Sequence, residues 1–275
     1  MTGCARTWLV TGAASGLGAA IVAHALACGD RVVACARSIE AIAPGDPSRL
    51  LALRLDVNEA GAAEAVVAAA IARFGRIDVL VNNAGFGVMG TLEETPQVEY
   101  RAIMETNFFG LVEVTRAVLP SMRAAGGGII VNVSSVAVLR PRAGFSAYAA
   151  SKAAVEAFSD ALGREVASFG IGVLIVEPGA LKTGFTRRSL RIMPRLPAYS
   201  AVMDPMRERV MAADGHGGDA RRAAAAIDRA IAIRPIPVRL QLGRDAQDAA
   251  IESRAVLMAD LVLWRDFGIL DSREN

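Results

Sequence analysis

Tyr148 and Lys152 occur four residues apart, as Tyr148-Ala149-Ala150-Ser151-Lys152. On a helix that spacing puts the phenol and the ammonium on one face. A free phenol has a pKa near ~10, too high for a base at neutral pH. A neighbouring cation favours the phenolate, which makes Tyr148 a candidate general acid/base with Lys152 as its partner. Lysine is scarce here: Lys152 and Lys182 are the only two, and arginine fills the other basic positions. A third group comes from the apolar run 128–133, which ends in Ser134-Ser135. Ser135, thirteen residues before Tyr148, is the expected substrate-facing hydroxyl. Consecutive strand residues point to opposite sides, so Ser134 is the alternative.

A second constellation lies near the start, in Thr11-Gly12-Ala13-Ala14-Ser15-Gly16-Leu17-Gly18. Gly12 lets the chain turn off a strand, Gly16 admits a pyrophosphate to the backbone, and Gly18 allows close helix–sheet packing. The helix that follows points free N–H groups and its dipole at phosphate. Gly12, Ser15, Gly16, Leu17 and Gly18 are therefore candidate dinucleotide contacts. The second strand ends at Ala36-Arg37. A carboxylate there would bind the ribose 2′-hydroxyl of NAD, whereas a nearby Arg accommodates the 2′-phosphate of NADP. Ala36 followed by Arg37, with Ser15 close by, predicts NADP(H) preference, with NAD(H) possible.

These groups need a scaffold, and the apolar pattern supplies one. Runs at 7–10, 31–36, 50–55, 77–81, 128–133 and 172–176 read as buried strands. Helical candidates alternate with them at 16–28, 59–74, 97–123 and 147–169, followed by a strand at 238–242 and a helix at 245–266. Strict alternation predicts an α/β fold of the Rossmann type, a doubly wound parallel sheet covered by helices on both faces. No linker interrupts it, so residues 1–275 read as a single domain. The irregular stretch 179–199 begins a candidate substrate lid, about 180–213.

Composition excludes other classes. Hydrophobic residues make up 53% of 275, enough for a sizeable core and incompatible with disorder. The net charge of +2 gives no global field for nucleic acid. Residues 124–139 fall short of a membrane span, and the run after Arg6 is too short for a signal-peptide core. His24, His216, Cys4, Cys28 and Cys35 are too few and scattered for a typical zinc site, so no metal is expected. Three cysteines without a disulfide framework fit a cytoplasmic protein. His24 reads as a helix-surface residue and His216 as a loop residue; neither suits Ser–His–Asp hydrolysis.

Together the motifs resemble the short-chain dehydrogenase/reductase family, in its branch with a TGxxxGxG turn. The matching residues are Thr11-Gly12 through Gly18, Asn82-Asn83-Ala84-Gly85, Asn107, Ser135, Tyr148 with Lys152, and Pro178-Gly179 followed by Thr183. The resemblance implies a seven-stranded sheet ordered 3-2-1-4-5-6-7 and interconversion of a carbonyl compound and an alcohol by hydride transfer. It implies that Tyr148 exchanges the proton, that Lys152 lowers the phenol pKa and binds the nicotinamide ribose, and that Ser135 holds the substrate oxygen. Asn107 would support a water leading to Lys152. Asp56 and Val57 would contact adenine, Asn83, Ala84 and Gly85 would line the adenosine ribose, and Pro178, Gly179 and Thr183 would flank the nicotinamide. A homodimer or homotetramer is expected, through the helices starting near 97 and 147.

On the substrate side, Lys182, Arg187, Arg188, Arg191 and Arg195 occur with no acid between Glu177 and Asp204. They could attract an anion or be solvated arms. Phe86, Val88, Phe145, Leu181, Phe185, Met193, Met203 and Met206 suggest a pocket for a bulky apolar carbonyl compound, or the packing of the lid.

Overall fold

A computed structural model describes residues 5–268; Cys4 and the ends of the 1–275 span lie outside them. The strands are β1 (Thr7–Thr11), β2 (Arg31–Ala36), β3 (Leu50–Arg54), β4 (Val79–Asn82), β5 (Gly87–Met89), β6 (Gly128–Val133), β7 (Ile171–Pro178), β8 (Leu190–Ile192) and β9 (Arg239–Leu242). Seven form one parallel sheet in the order β3-β2-β1-β4-β6-β7-β9. That is the expected order once β5 and β8, a small parallel pair of their own, are set apart. Val10 of β1 sits between Ala34 of β2 and Val81 of β4.

Alternation along each strand divides the core into two layers. On one face Trp8, Val10, Val32, Val79 and Val131 pack against α1 (Gly16–Ala27) and α9 (Ala220–Ala232) through Leu17, Ile21, Ile227 and Ile231. On the other, Leu9, Val33, Leu80 and Ile130 meet α2 (Ala62–Phe74), α4 (Gly110–Ala124) and α6 (Ser146–Val166) through Val66, Val67, Val114, Val118 and Leu162. Polar side chains in this second layer are linked into a hydrogen-bonded chain. Asn82 Nδ2 donates to Asn132 Oδ1 and Thr115 Oγ1, and Asn132 Nδ2 donates to Ser159 Oγ.

Two expectations need correction. The helix expected over 97–123 is interrupted: α3 (Gln97–Met104) passes through a π turn at Glu105–Phe109 into α4. A π turn inserts an extra residue into the helical ladder, often beside a functional group. Here it redirects Asn107. The irregular stretch 179–199 is also more ordered than its Pro and Arg content suggested. It contains α7 (Phe185–Arg188) and β8, which pairs with β5, and leads into α8 (Ser200–Ala212). Arg207 of α8 is buried, with Nη2 3.2 Å from Glu94 Oε2 and Nη1 donating to Met193 O. Glu94 Oε1 also accepts from Leu196 N–H at 3.0 Å.

The chain closes with the short α5 (Val136–Leu139) packed beneath α10 (Arg244–Trp264). No described helix is long and apolar enough to cross a membrane.

Candidate active site

The strand order reverses between β1 and β4, and in open parallel sheets ligands bind at the carboxyl edge of such a switch point. The candidate residues converge there. Gly12 has φ +65° and Gly16 has φ +57°, a region where a side chain is strained. A Cβ on Gly18 would lie 2.4 Å from Gly12 O and 2.5 Å from Asn83 Nδ2. Thr11 Oγ1 accepts the N–H groups of Asn83 and Ala84, each at 3.0 Å. Asn83 Nδ2 in turn donates to Thr11 O and Gly12 O. Asn83 and Ala84 therefore lace β4 to the glycine turn. Ser15 begins α1 with an extended backbone, and its side chain makes no capping bond, so its hydroxyl is uncommitted. Leu17 buries its side chain in the core and offers only its backbone to the turn. Arg37, directly after β2, is exposed.

Asp56 Oδ1 caps Asn58 N–H, while Val57 abuts Gly110, where a Cβ would lie 2.5 Å from Val57 Cγ2. At the other end of the cleft, Gly179 N–H donates to Leu242 O at 2.9 Å, and Ala180 N–H donates to Asp245 Oδ2 at 2.8 Å. A Cβ on Gly179 would strike that carboxylate at 2.1 Å. Asp245 thus fixes the turn after Pro178. Thr183 lies across the cleft from Gly16, 3.1 Å from where a Gly16 Cβ would be. A cleft of about 660 Å³ opens beside this pair, lined by Lys182, Arg187, Arg188 and Arg221 among others.

The reactive groups stand on β6 and α6. Ser134 and Ser135 point apart, as strand geometry requires. Ser134 Oγ donates to buried Glu156 Oε1 at 2.7 Å. Ser135 caps α5, accepting Ala137 N–H at 3.1 Å, and its hydroxyl lies beside the Tyr148 phenol. Tyr148 is half-buried between Phe145 and Phe185, with ring centroids 6.5 and 6.0 Å away. Lys152, one turn on, is buried and donates to Val133 O at 2.8 Å.

Asn107 is buried and clamps the Phe86 backbone from both sides. Its Oδ1 accepts Phe86 N–H and its Nδ2 donates to Phe86 O, each at 2.9 Å. The same Nδ2 donates to Ser151 Oγ, which bonds Tyr148 O. A Cβ on Gly85 would lie 2.8 Å from Asn107 Oδ1 and 3.5 Å from Lys152 Nζ, so only glycine fits between them.

The electrostatics differ from the expected direction for Tyr148. Burial pushes the phenol up, with the Ser135 hydroxyl pulling the other way, and the net shift is upward. Burial draws Lys152 down to about 8. Desolvation is the main cause for both groups. With its pKa raised, the phenol is protonated at neutral pH, the form from which a proton donor starts.

The surroundings bear on two readings that the sequence leaves open. Of the eight apolar residues named, Val88, Met193 and Met203 are buried packing residues and Leu181 and Met206 are half-buried, while Phe145 and Phe185 stand beside Tyr148 with Phe86 close to them. The bases of 182–195 are largely spoken for. Arg187 pairs with Asp214, Arg188 with Thr183 O, Arg191 with Glu99 at 2.8 Å and Arg195 with Asp204 at 3.5 Å. Arg191 also lies over the Phe86 ring, 4.2 Å from its centroid. Sequence reasoning quoted Thr11 and Ser151 within motifs without giving them a role, and singled out neither Glu94 nor Asp245. Each acts through a contact remote in sequence, and spacing gives no signal for it.

Known proteins match this arrangement. The family model described as short chain dehydrogenase matches residues 6–192. An oxidoreductase of Botryotinia fuckeliana, BOA17, is 33% identical over 96% of this chain and 98% of its own. A short-chain dehydrogenase from Streptomyces avermitilis, solved by crystallography, is 44% identical, with TM-score 0.90 over 96% of this chain and 98% of that one. A short chain dehydrogenase from Burkholderia cenocepacia, solved in complex with NADP, is 27% identical, with TM-score 0.74 over 94% and 96%. The chain belongs to the short-chain dehydrogenase family of oxidoreductases.

Proposed function

We propose that this protein is an NADP(H)-dependent reductase that interconverts an apolar ketone or aldehyde and the corresponding alcohol. The observation that carries the proposal is the convergence of Ser135, Tyr148 and Lys152 at the sheet edge, beside a glycine turn that tolerates no side chain. The turn and α1 offer N–H groups and a dipole to the pyrophosphate. Ser15 and Arg37 hold a 2′-phosphate; Asp56, Val57, Asn83, Ala84 and Gly85 border the adenosine half, and Pro178, Gly179 and Thr183 the nicotinamide half. When bound, the cofactor supplies the hydride.

The rest is the work of side chains. Ser135 and Tyr148 hydrogen-bond the substrate oxygen, and Tyr148 gives it a proton. Its raised pKa keeps that proton in place until charge develops on the oxygen. Lys152 spends one N–H on Val133 O and has two left for the ribose and the phenol side of the site. Asn107, through Phe86 and Ser151, fixes the height of α6 against the cleft. Segment 180–213 closes over the cleft as a lid, pinned by the β5–β8 pair and by Arg207. Phe145 and Phe185 favour an apolar substrate. Cys28 and Cys35, both free, suit a cytoplasmic setting. We also assign self-assembly to α10, whose outer half carries a long exposed apolar run.

The test follows NADPH and NADH absorbance against a panel of apolar ketones and aldehydes. Turnover with NADPH supports the proposal; a clear NADH preference refutes the cofactor assignment. An Arg–phosphate hydrogen bond is worth about 1.5–3 kcal/mol, so Arg37→Ala should weaken NADPH binding roughly 10- to 150-fold and leave NADH binding unchanged. Equal losses for both would remove Arg37 from the site.

A further inference from the structure

At the end of α1 remote from the glycine turn, His24, Cys28 and Asp228 bring three different donor atoms together. His24 Nε2 lies 3.0 Å from Asp228 Oδ2 and 3.6 Å from Cys28 Sγ, and Cys28 Sγ lies 4.0 Å from the same Asp228 oxygen. All three atoms fall within 4.8 Å of one another. His24 and Cys28 share a face of α1, four residues apart, and Asp228 comes from α9.

A nucleophilic relay needs its histidine to use one ring nitrogen for the thiol and the other for the carboxylate. Here the same nitrogen, Nε2, faces both, so a relay has no path. Three donors converging on one point is a ligand arrangement instead. At tetrahedral angles, zinc–ligand bonds of about 2.0–2.3 Å set donor–donor edges of roughly 3.3–3.6 Å. The observed triangle of 3.0, 3.6 and 4.0 Å brackets those edges.

The charge around the cluster fits as well. Arg6 holds the far oxygen of Asp228, Oδ1, at 2.8 Å and Asp30 Oδ2 at 2.7 Å, and leaves Asp228 Oδ2 to the cluster. With the thiol deprotonated, two carboxylates and a thiolate against one guanidinium leave two negative charges, which a dication balances. A carboxylate oriented by an outer hydrogen bond is what metal sites commonly use.

We propose that His24 Nε2, Cys28 Sγ and Asp228 Oδ2 bind a zinc-class divalent ion that staples α1 to α9, with its fourth position open to solvent. Nothing in it depends on the reductase reading. His24 is about 12 Å along the helix axis from Gly16 at 1.5 Å per residue, so the staple lies outside the catalytic cleft.

The test uses the full chain carrying Cys4→Ser, stripped of metal and titrated with Co²⁺, and with Zn²⁺ against a chromophoric chelator. One equivalent should bind, giving a thiolate-to-cobalt charge-transfer band and tetrahedral d–d bands, and saturating Zn²⁺ should raise Tm. Cys28→Ser, at an exposed position, should abolish the charge-transfer band, weaken binding about 100-fold or more and cancel the Tm rise, with NADPH binding unchanged. Asp228→Asn should weaken binding about 10-fold or more. Failure to bind one equivalent below about 10 µM would overturn the proposal, as would an unaltered band or affinity in Cys28→Ser.

Discussion

Lys152 is the residue with most at stake. Its ammonium is buried with Val133 O as its protein hydrogen-bond partner, and burial brings its pKa from the usual ~10.4 to about 8. The unfolded chain keeps the ordinary value, so between pH 8 and about 10.4 it binds more protons than the folded one, and stability rises with pH through that window. Below pH 8 the folded protein carries the full cost of a buried charge. Lys152→Met should therefore raise stability at pH 7 by about 1–3 kcal/mol while removing activity, with the gain fading toward pH 10. Thermal melts across that range check it; a destabilised variant at pH 7 would show that the ammonium is held by more than burial allows. The four-residue spacing places Tyr148 and Lys152 one turn apart on a helix, and both stand on α6. The direction of the phenol shift was not legible, because desolvation depends on Phe145, Phe185 and the depth of α6, none of which a local motif encodes.

Among the elements, the strands were the most legible part of the chain, since buried parallel strands read as continuous apolar runs, while their order came only with the family resemblance. The π turn at 105–109 was hidden. Its residues keep a helical composition, and only the pull of Phe86 and Ser151 on Asn107 reveals why the ladder widens. The stretch 179–199 is more regular than its sequence suggests for a related reason. Its Arg and Pro content suggests solvated loop, yet its order comes from partners far away, namely β5, Glu94 and Glu99. Glu94 is the point to probe. Glu94→Ala leaves the Arg207 guanidinium buried without its carboxylate and frees the Leu196 N–H. Breaking a buried pair costs about 3–5 kcal/mol, so Tm should fall by roughly 5–10 °C, with new proteolytic cuts inside 180–213. An unchanged melt and digestion pattern would mean that the β5–β8 pair alone holds the segment. The cluster of His24 and Cys28 with Asp228 was illegible for the same cause, its third donor lying 200 residues further on.

For the whole molecule, the surface is uneven. The expected assembly faces on α3, α4 and α6 expose few large apolar side chains, Val98 and Phe109 the chief ones. The outer half of α10 exposes many: Val256, Leu257, Met258, Leu261, Val262, Leu263 and Trp264 are each 56–71% exposed. With Ile251 and Phe267 they make this end of α10 apolar around its circumference, of which a second copy would cover one side. A second copy of α10 is the occupant we assign. In an antiparallel pair centred on Leu257, Arg254 of each copy falls opposite Asp260 of the other. Light scattering should give an oligomeric mass, reduced by Leu257→Glu with Leu261→Glu at positions that fold without burial. A monomeric parent protein would contradict this.

The central claim is that Tyr148 delivers the proton beside a bound nicotinamide, and Tyr148→Phe tests it most directly. NADPH binding, followed by fluorescence, should stay within about twofold of the parent, because Tyr148, expected among the cofactor-binding residues, loses only one hydroxyl among many contacts. Turnover of a carbonyl substrate found in the NADPH panel should fall at least ~1,000-fold in kcat/KM. Retained turnover with normal binding would contradict the account.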